Sequence, residues 1–363
     1  MNRLLYDQLT ATLARRGGAF PVINSQVLYD LLDLIFSDDD AELAVRMSDV
    51  PVTAEDMAGL INSSVESAKN GLEAMAQKGI IASLKLWGKR MYVLLPMIPG
   101  ILENQMVKGE VNERARQIAK LTYAYLDILK ELEKEKDDRI PTVPFARVIP
   151  IEQNIEGQST VQPYDRLLEY IDKTDNFAQT VCHCRHAHEL MGDTCSKPKD
   201  VCLAVGPGAQ YMIEYGMGKA VSKEEVREIL KRAEDAGLVH VVSNTGKNID
   251  FICNCCICHC ETLQSFKRFA DYGRAARSSF ITQVNADECI GCGVCIERCP
   301  MDALFMQDEK AILDKKACIG CGLCISTCPA EAITMISREG AAVPYENVLK
   351  LNKAIISSTK SEI

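Results

Sequence analysis

Apolar residues recur at helical spacing through the N-terminal third of the chain, and polar capping residues separate the stripes. The run SDDDAELAVRM opens with residues that cap helix N-termini, and Thr53 can do the same for a helix through Leu60. Gly79 should end a later helix, because glycine accepts the left-handed backbone of a helix C-terminus. The predicted helices cover residues 1–36 (one or two short helices), 37–47, 53–60 and 65–78.

Two apolar runs, IIASLKL and RMYVLL, follow these helices and predict strands joined by a tight turn at WGK. Helix, turn, helix and hairpin in this order resemble the winged-helix fold over about sixty residues. Many winged helices read DNA, which requires a basic face, whereas others dock on proteins. The candidate recognition helix carries two lysines and two glutamates, Lys69, Lys78, Glu66 and Glu73. It is neutral, so the sequence favours docking on a protein.

Three more helices and a linker are predicted before the first cysteines and between the cysteine groups. Residues 109–139 carry a long helical pattern, and two prolines just beyond it should end it. Residues 140–162 lack periodicity and predict an irregular linker. Shorter helices are predicted at 163–173 and at 222–237, the second opening with the spacing of a capping box.

The composition is that of an ordinary globular protein, with 363 residues, 47% hydrophobic and 25% charged. This length allows two or three domains whose cores need no disulfides. The N-terminus lacks the apolar core of a signal peptide, and the longest apolar run, 91–102, is too short to span a membrane. We therefore expect a soluble, cytoplasmic protein. The net charge of −9 disfavours a general nucleic-acid binder.

Cysteine is abundant and confined to the C-terminal half. The chain has 17 cysteines, none before Cys182, and all 5 histidines lie between His183 and His259. An odd cysteine count in a reducing compartment argues against a disulfide framework and for metal or redox chemistry. The two halves of the chain should therefore have different functions.

The strongest motif is a duplicated cysteine run. CIGCGVCIERCP (289–300) recurs as CIGCGLCISTCP (318–329), and the residues after each copy also agree in character. Three closely spaced thiolates can bind three irons of one cubane, small glycines let backbone amides approach, and the fourth cysteine reaches the cluster of the other copy. A pair of zinc knuckles is the alternative, but zinc takes its four ligands as two separated pairs.

Residues 280–337 closely resemble the bacterial ferredoxins that carry two [4Fe-4S] clusters. The resemblance implies a small pseudo-symmetric unit of two short hairpins and two helices, and a relay for single electrons. It also implies two ligand sets, Cys289, Cys292, Cys295 and Cys328 for one cluster and Cys318, Cys321, Cys324 and Cys299 for the other.

Nine further cysteines form two groups in the middle of the chain. They are Cys182, Cys184, Cys195 and Cys202 in VCHCRHAHELMGDTCSKPKDVCL, and Cys253, Cys255, Cys256, Cys258 and Cys260 in ICNCCICHCETL. A catalytic thiol would not need so many neighbours, and a vicinal disulfide would be strained. Nine thiols can serve two cubanes with one to spare, or one cluster plus a zinc ion. We favour one or two additional [4Fe-4S] clusters.

Histidines keep zinc open as the alternative. CHCRHAH offers His183, His186 and His188 beside thiolates, and zinc accepts mixed nitrogen and sulfur ligands. These histidines could instead hydrogen-bond cluster sulfides and raise a potential. The region also resembles a cysteine-rich segment found beside ferredoxin modules in proteins of anaerobes. By that resemblance a cysteine is expected where His259 stands, which puts a ligand role for His259 in doubt.

Together these patterns predict an α+β, multidomain protein. The expected parts are a winged-helix-like docking domain at 1–105, a long helix and linker at 106–160, a helical Cys/His-rich metal domain at 161–275, a ferredoxin-like two-cluster domain at 276–340 and a C-terminal tail at 341–363.

The first hypothesis for function is an electron-transfer protein or subunit that passes low-potential electrons to or from a partner redox enzyme. No catalytic residue is assigned, because the chain has no G-x-G-x-x-G fingerprint and no phosphate loop, so substrate chemistry should belong to the partner. The acidic ferredoxin segment should dock on a basic protein surface. DNA is not an expected partner, and no membrane span is expected. The alternatives are a redox-sensing winged-helix regulator of transcription and a reductase with a substrate-binding metal in the middle domain.

Overall fold

A computed structural model describes residues 1–155, 159–268 and 274–359. Its α-helices in these ranges are α1 (Arg3–Arg15), α2 (Gln26–Ile35), α3 (Asp38–Arg46), α4 (Ala54–Ile61), α5 (Val65–Gln77), α6 (Leu102–Asn104), α7 (Glu113–Lys134), α8 (Leu167–Lys173), α9 (His183–Leu190), α10 (Pro207–Glu214), α11 (Lys223–Asp235), α12 (Glu261–Arg268), α13 (Val294–Arg298) and α14 (Val348–Ser357). None of them combines the length and the apolar character that crossing a membrane requires.

The strands in the same ranges are β1 (Ile81–Leu86), β2 (Lys89–Leu94), β3 (Ala146–Val148), β4 (Phe177–Thr180), β5 (Cys202–Val205), β6 (Lys219–Ala220), β7 (Val239–Ser243), β8 (Phe251–Cys255), β9 (Ala275–Ala276), β10 (Phe280–Val284), β11 (Leu304–Gln307), β12 (Lys310–Leu313) and β13 (Ile333–Ser337). The chain is therefore a mixture of helix and sheet, as predicted.

The helices and the hairpin predicted for the N-terminal region are present. α3 and α4 each begin with a capping box, and α11 does so in the middle region. Asn62 and Gly79 take the left-handed backbone that ends α4 and follows α5. β1 and β2 pair antiparallel, and Val52 adds a short bridge to Tyr92 at their edge. These bounds depend on local capping and turn chemistry, which is why the sequence places them well.

The long helix α7 is shorter than the predicted range 109–139. Lys136 adopts a left-handed backbone with φ 55°, and the amide of Asp137 donates a hydrogen bond to the carbonyl of Leu132. This is the hydrogen-bond pattern of a Schellman motif, formed here by lysine instead of glycine. The helix therefore ends well before the two prolines.

The middle of the chain is built on a sheet, so the prediction of a helical middle domain is wrong. Within the described residues the strand order is β6-β4-β5-β8-β7-β3-β9, and neighbours are antiparallel except β3 and β9. β5 and β7 are buried at every position, so they lack the alternation that marks a strand in a sequence. β3 lies inside the stretch 140–162 that was predicted as an irregular linker, where it is only three residues long and has prolines on both sides.

The C-terminal cysteine repeats differ in detail from the fold that the ferredoxin resemblance implies. β11 and β12 form a hairpin, but β10 and β13 pair across the whole repeat, so there is one hairpin instead of two. Within the described residues of this unit α13 is the one α-helix, and the equivalent stretch 323–327 forms turns. Ser326 and Thr327 stand there in place of Glu297 and Arg298, which are stronger helix formers.

The segment predicted as a C-terminal tail contains α14 and is tied to the middle sheet. Two residues on the apolar face of α14 are buried. Tyr345 forms a parallel bridge with Thr245, next to β7, and Glu346 forms an ion pair with Lys247. These contacts tie Tyr345 and Glu346 to the middle region.

The N-terminal helices share one hydrophobic core with α9 and α10 of the middle region. The hydroxyl of Tyr211 on α10 donates to the carbonyl of Ala76 at 2.8 Å, and the side chain of Gln77 donates to the carbonyl of Tyr215 at 3.2 Å. The Tyr215 hydroxyl also donates to Glu73. The C-terminal half of α5 is therefore packed against α10 of the middle region.

Candidate metal centres

One set of four cysteines lines a cavity beside α13, and we name this set quartet 1. Its members are Cys289, Cys292, Cys295 and Cys328, which line the same cavity. Cys292 is exposed, whereas Cys295 is buried. Backbone N–H groups of Ala311 and Gly291 donate to Cys289 and lower its pKa, which favours the thiolate form that metals bind.

A second set, quartet 2, lines a cavity deeper in the molecule. Its members are Cys299, Cys318, Cys321 and Cys324. Burial raises the pKa of Cys324 to about 12 and holds that of Cys321 far above its usual value. Such thiols stay protonated unless a cationic centre holds them as thiolates. The amide of Ala303 donates to Cys299 Sγ at 3.3 Å, as cluster thiolates commonly accept.

Glycines close the backbone tightly around both cavities. A Cβ at Gly291 would lie 2.5 Å from the carbonyl oxygen of Glu309, and one at Gly320 would collide with the carbonyl of Phe280. Both glycines also have positive φ, at 69° and 73°. Four thiols, converging amides and an apolar wall are the surroundings that a [4Fe-4S] cluster requires. The residues present therefore fit such a cluster in each cavity.

Six of the middle cysteines are brought together by the sheet. Cys253 and Cys255 alternate along β8 and so share one of its faces. Leu203 of β5 pairs with Ile252 of β8, which sets Cys202 opposite Cys253. The other members lie at helix starts, Cys182 and Cys184 at α9 and Cys260 just before α12.

The thiols of these six residues follow one another as neighbours around a closed ring, which we name the thiol ring. Its order is Cys182, Cys202, Cys253, Cys255, Cys260 and Cys184, which returns to Cys182. Four of the six are buried. Six thiols exceed the four ligands of one cubane, so the thiol ring is a larger donor set than either quartet.

Arg185 lies beside the thiol ring as a buried cation. It is 1% exposed, donates to the carbonyl of Asn254 at 3.0 Å, and has no hydrogen-bond partner for Nε and Nη2 within the described part of the chain. Burial lowers its pKa, but the thiolates of Cys182, Cys202 and Cys256 raise it more, so the net pKa lies above the usual value. A buried guanidinium requires anionic neighbours, and metal-bound thiolates supply them.

The remaining three middle thiols meet one histidine at a separate place. Cys195 follows α9, and Cys256, Cys258 and His259 lie in the turn between β8 and α12. The ligand atoms of all four lie within 4.8 Å of one another, and the sulfurs of Cys195 and Cys258 are 3.4 Å apart. The fold thus divides nine thiols into six and three, a division that the sequence left open.

Of the three histidines singled out in the sequence, two have partners other than thiols. His186 donates from Nε2 to the carbonyl of Glu110 at 2.9 Å. His188 Nδ1 lies 3.3 Å from the carboxylate of Asp193. His183 Nε2 lies 3.1 Å from Cys184 Sγ, so it is the histidine of these three that touches the thiol ring. His259, whose role the sequence put in doubt, is the one that joins a group of three thiols.

Apolar cores connect the three main thiol sets. Cys255 and Cys260 of the thiol ring belong to the same core as Cys318 of quartet 2. Cys324 of quartet 2 shares a smaller core with Cys295 of quartet 1. The sets therefore follow one another from exposed quartet 1, through quartet 2, to the buried thiol ring.

Residues 282–335, which contain both quartets, match the family model of the 4Fe-4S dicluster domain. This match and the geometry agree that the C-terminal region binds iron–sulfur clusters of the [4Fe-4S] type. A search of the curated proteins found no match for the chain.

Sequence reasoning missed two residues that surround the middle thiols, Arg185 and Asp193. Both stand within two positions of a cysteine. A charged residue that close to metal-binding residues is a sign that it supports a metal ligand by a hydrogen bond or by its charge. Which ligand each of them serves could not be found without the fold, because the cysteines concerned are distant along the chain.

Proposed function

We propose that this protein relays single electrons between a redox partner and a buried iron–sulfur centre of its own. Quartets 1 and 2 would each hold one [4Fe-4S] cluster, and the thiol ring would hold at least one further cluster. When bound, such clusters accept and release one electron at a time at potentials set by their surroundings. The observation that carries this proposal is the match to the dicluster domain together with two four-thiol cavities in the matched segment.

Quartet 1 is the proposed docking end of the molecule. Cys292 is exposed, and its neighbours Ile290 and Val294 are 68% and 41% exposed. Acidic residues stand beside this apolar spot, among them Asp287 and Glu288. An apolar centre with an acidic rim suits a redox protein whose own docking surface has a basic rim. In the thiol ring, by contrast, four of the six cysteines are buried.

We propose that the N-terminal region is a winged-helix-like module that docks on protein and not on DNA. Lys85 and Arg90 of the β1–β2 hairpin both pair with Glu214 of α10 at 2.6 Å. A DNA reader needs free cations on such a hairpin to neutralise phosphates. This contact weighs against the alternative of a redox-regulated transcription factor, for which a gel-shift assay with oxidised and reduced protein should show no retarded DNA.

Iron analysis of the full chain, purified without oxygen, tests the cluster in the thiol ring. The two four-iron clusters of the dicluster domain account for eight irons, so the wild-type protein should contain clearly more than eight per chain. Replacing Cys202, Cys253 and Cys255 together by serine leaves three ring thiols, fewer than the four that a cubane binds. This triple variant should lower iron and acid-labile sulfide to about the dicluster level, with the reduced dicluster signals in electron paramagnetic resonance retained.

The matched control is Ser196→Ala. Ser196 is exposed, lies next to Cys195 and is not a member of the thiol ring, so this variant should leave the iron content unchanged. Wild-type protein with eight irons that the triple variant does not alter would show that the thiol ring holds no cluster.

A further inference from the structure

We infer that Cys195, Cys256, Cys258 and His259 bind a single zinc ion that carries no electrons. This site lies outside the two quartets and the thiol ring, so the inference goes beyond the proposed electron relay. Three thiolates and one imidazole are a ligand set that structural zinc sites use. Two of the thiols, those of Cys256 and Cys258, precede His259 in one short turn, and Cys195 is brought in from a separate loop.

The spacing of the donor atoms fits one ion. Zinc bonds of about 2.3 Å to sulfur in a tetrahedron place neighbouring sulfurs about 3.8 Å apart. The sulfurs of Cys195 and Cys258 are 3.4 Å apart, and all four donor atoms lie within 4.8 Å of one another. In the described part of the chain neither quartet forms a group this tight, and each quartet encloses an open cavity instead. A cubane needs the wider arrangement, because its thiolates radiate from four separate irons.

The histidine is oriented as a metal ligand would be. His259 is 3% exposed, and its Nε2 lies 3.1 Å from the carboxylate of Asp193. Its Nδ1 is buried and has no hydrogen-bond partner among the described residues, so we assign this nitrogen to the ion. Ligating histidines usually donate their other N–H to a carboxylate, which fixes the ring and the tautomer.

Asp193 has the position of a supporting residue and not of a ligand to this ion. Its carboxylate is 68% exposed and lies against two histidine rings, His259 at 3.1 Å and His188 at 3.3 Å. His188 and His259 also contact each other, with ring centres 4.3 Å apart. The carboxylate therefore holds both rings while His259 turns its free nitrogen towards the thiols.

The ion would fix the wall of the thiol ring. Cys255 and Cys260, two ring members, flank the turn that carries three of the zinc ligands, and Cys195 belongs to the loop that precedes β5. A bond from this loop to the turn would keep both ends of the turn in place. In this arrangement the ion has a structural role and does not need to change its oxidation state, which suits zinc because zinc has no redox chemistry.

The test uses the full chain, purified without oxygen and analysed for zinc, iron and acid-labile sulfide, with X-ray absorption at the zinc edge to identify its neighbours. Wild-type protein should hold about one zinc with three sulfur neighbours and one nitrogen neighbour. His259→Ala should lose that zinc and keep its iron and sulfide. Asp193→Asn, at an exposed position that should not impair folding, should weaken zinc affinity about 10–100-fold in competition with a chelator.

Two further variants complete the design. His259→Cys restores four zinc ligands and should retain zinc, whereas the matched control His183→Ala, a histidine beside a thiol outside this group, should not change the zinc content. Wild-type protein without zinc would overturn the inference, and so would a loss of iron and sulfide in His259→Ala, which would assign the site to a cluster. The reduced signals of quartets 1 and 2 report separately on the proposed relay, so the two proposals can fail independently.

Discussion

Replacing Cys321 by serine is expected to remove about four irons per chain and to disconnect the exposed end of the molecule from the thiol ring. Cys321 is a member of quartet 2, whose core continues into the thiol ring. A serine hydroxyl stays protonated in this buried place and does not replace a thiolate ligand. Iron and sulfide analysis measures the first effect. The second is measured as the rate at which a reduced donor protein reduces the centre in the thiol ring.

Two companion variants make this result specific. Ser326→Ala, at an exposed position in the same loop, should keep both the iron content and the rate. Cys292→Ser should also lose about four irons, but from quartet 1. The electron paramagnetic resonance signal of the cluster that remains after reduction should therefore differ between Cys292→Ser and Cys321→Ser. Full iron and an unchanged rate in Cys321→Ser would contradict the assignment of quartet 2 and its place in the series.

The largest effect on stability is expected from Glu133→Gln on α7. Glu133 is 1% exposed and pairs with Arg274, which is 6% exposed. The guanidinium of Arg274 also donates to the carbonyl of Ala19 and stacks over Phe20, 3.6 Å from the ring centre. Removing one charge of a buried pair leaves the other uncompensated, which costs about 3–5 kcal/mol. We therefore expect a clear decrease in the midpoint of thermal unfolding measured by circular dichroism.

The control for this variant lies two residues earlier on the same helix. Glu131 is 66% exposed and pairs with Lys134 at 2.6 Å, and Glu131→Gln should change stability by no more than about 0.5 kcal/mol. The double variant Glu133→Gln/Arg274→Met removes both charges and should recover much of the loss. Equal unfolding midpoints for Glu133→Gln and Glu131→Gln would show that the buried pair does not link α7 to the middle region.

Elements whose limits depend on adjacent residues could be predicted from the sequence. Ser37 and Thr53 start α3 and α4, and Ser222 starts α11, because a capping side chain reaches an amide only three residues away. The end of α7 could not be predicted in this way. It depends on Lys136 taking a left-handed backbone, which lysine rarely does and no local pattern announces.

The middle sheet escaped prediction for a different reason. Its strands are short, and β5 and β7 are buried on both faces, so no alternation of polar and apolar residues separates them from buried helix. β3 pairs with β7, nearly one hundred residues later in the chain, and only that pairing makes three residues a strand. Such pairing is a property of the whole chain and not of a window of sequence.

The iron–sulfur chemistry of the C-terminal repeats could be predicted from the sequence, because the spacing of four thiols and the glycines between them is a local property. The sequence also showed nine further thiols, but it did not show which of them belong to the same metal site. Their grouping into a ring of six and a set of three with His259 is visible only in the folded chain. A donor set depends on the distances between side chains of β5, β8 and two loops, and the register of the strands sets these distances. The residues concerned lie up to 78 positions apart in the chain, as Cys182 and Cys260 do.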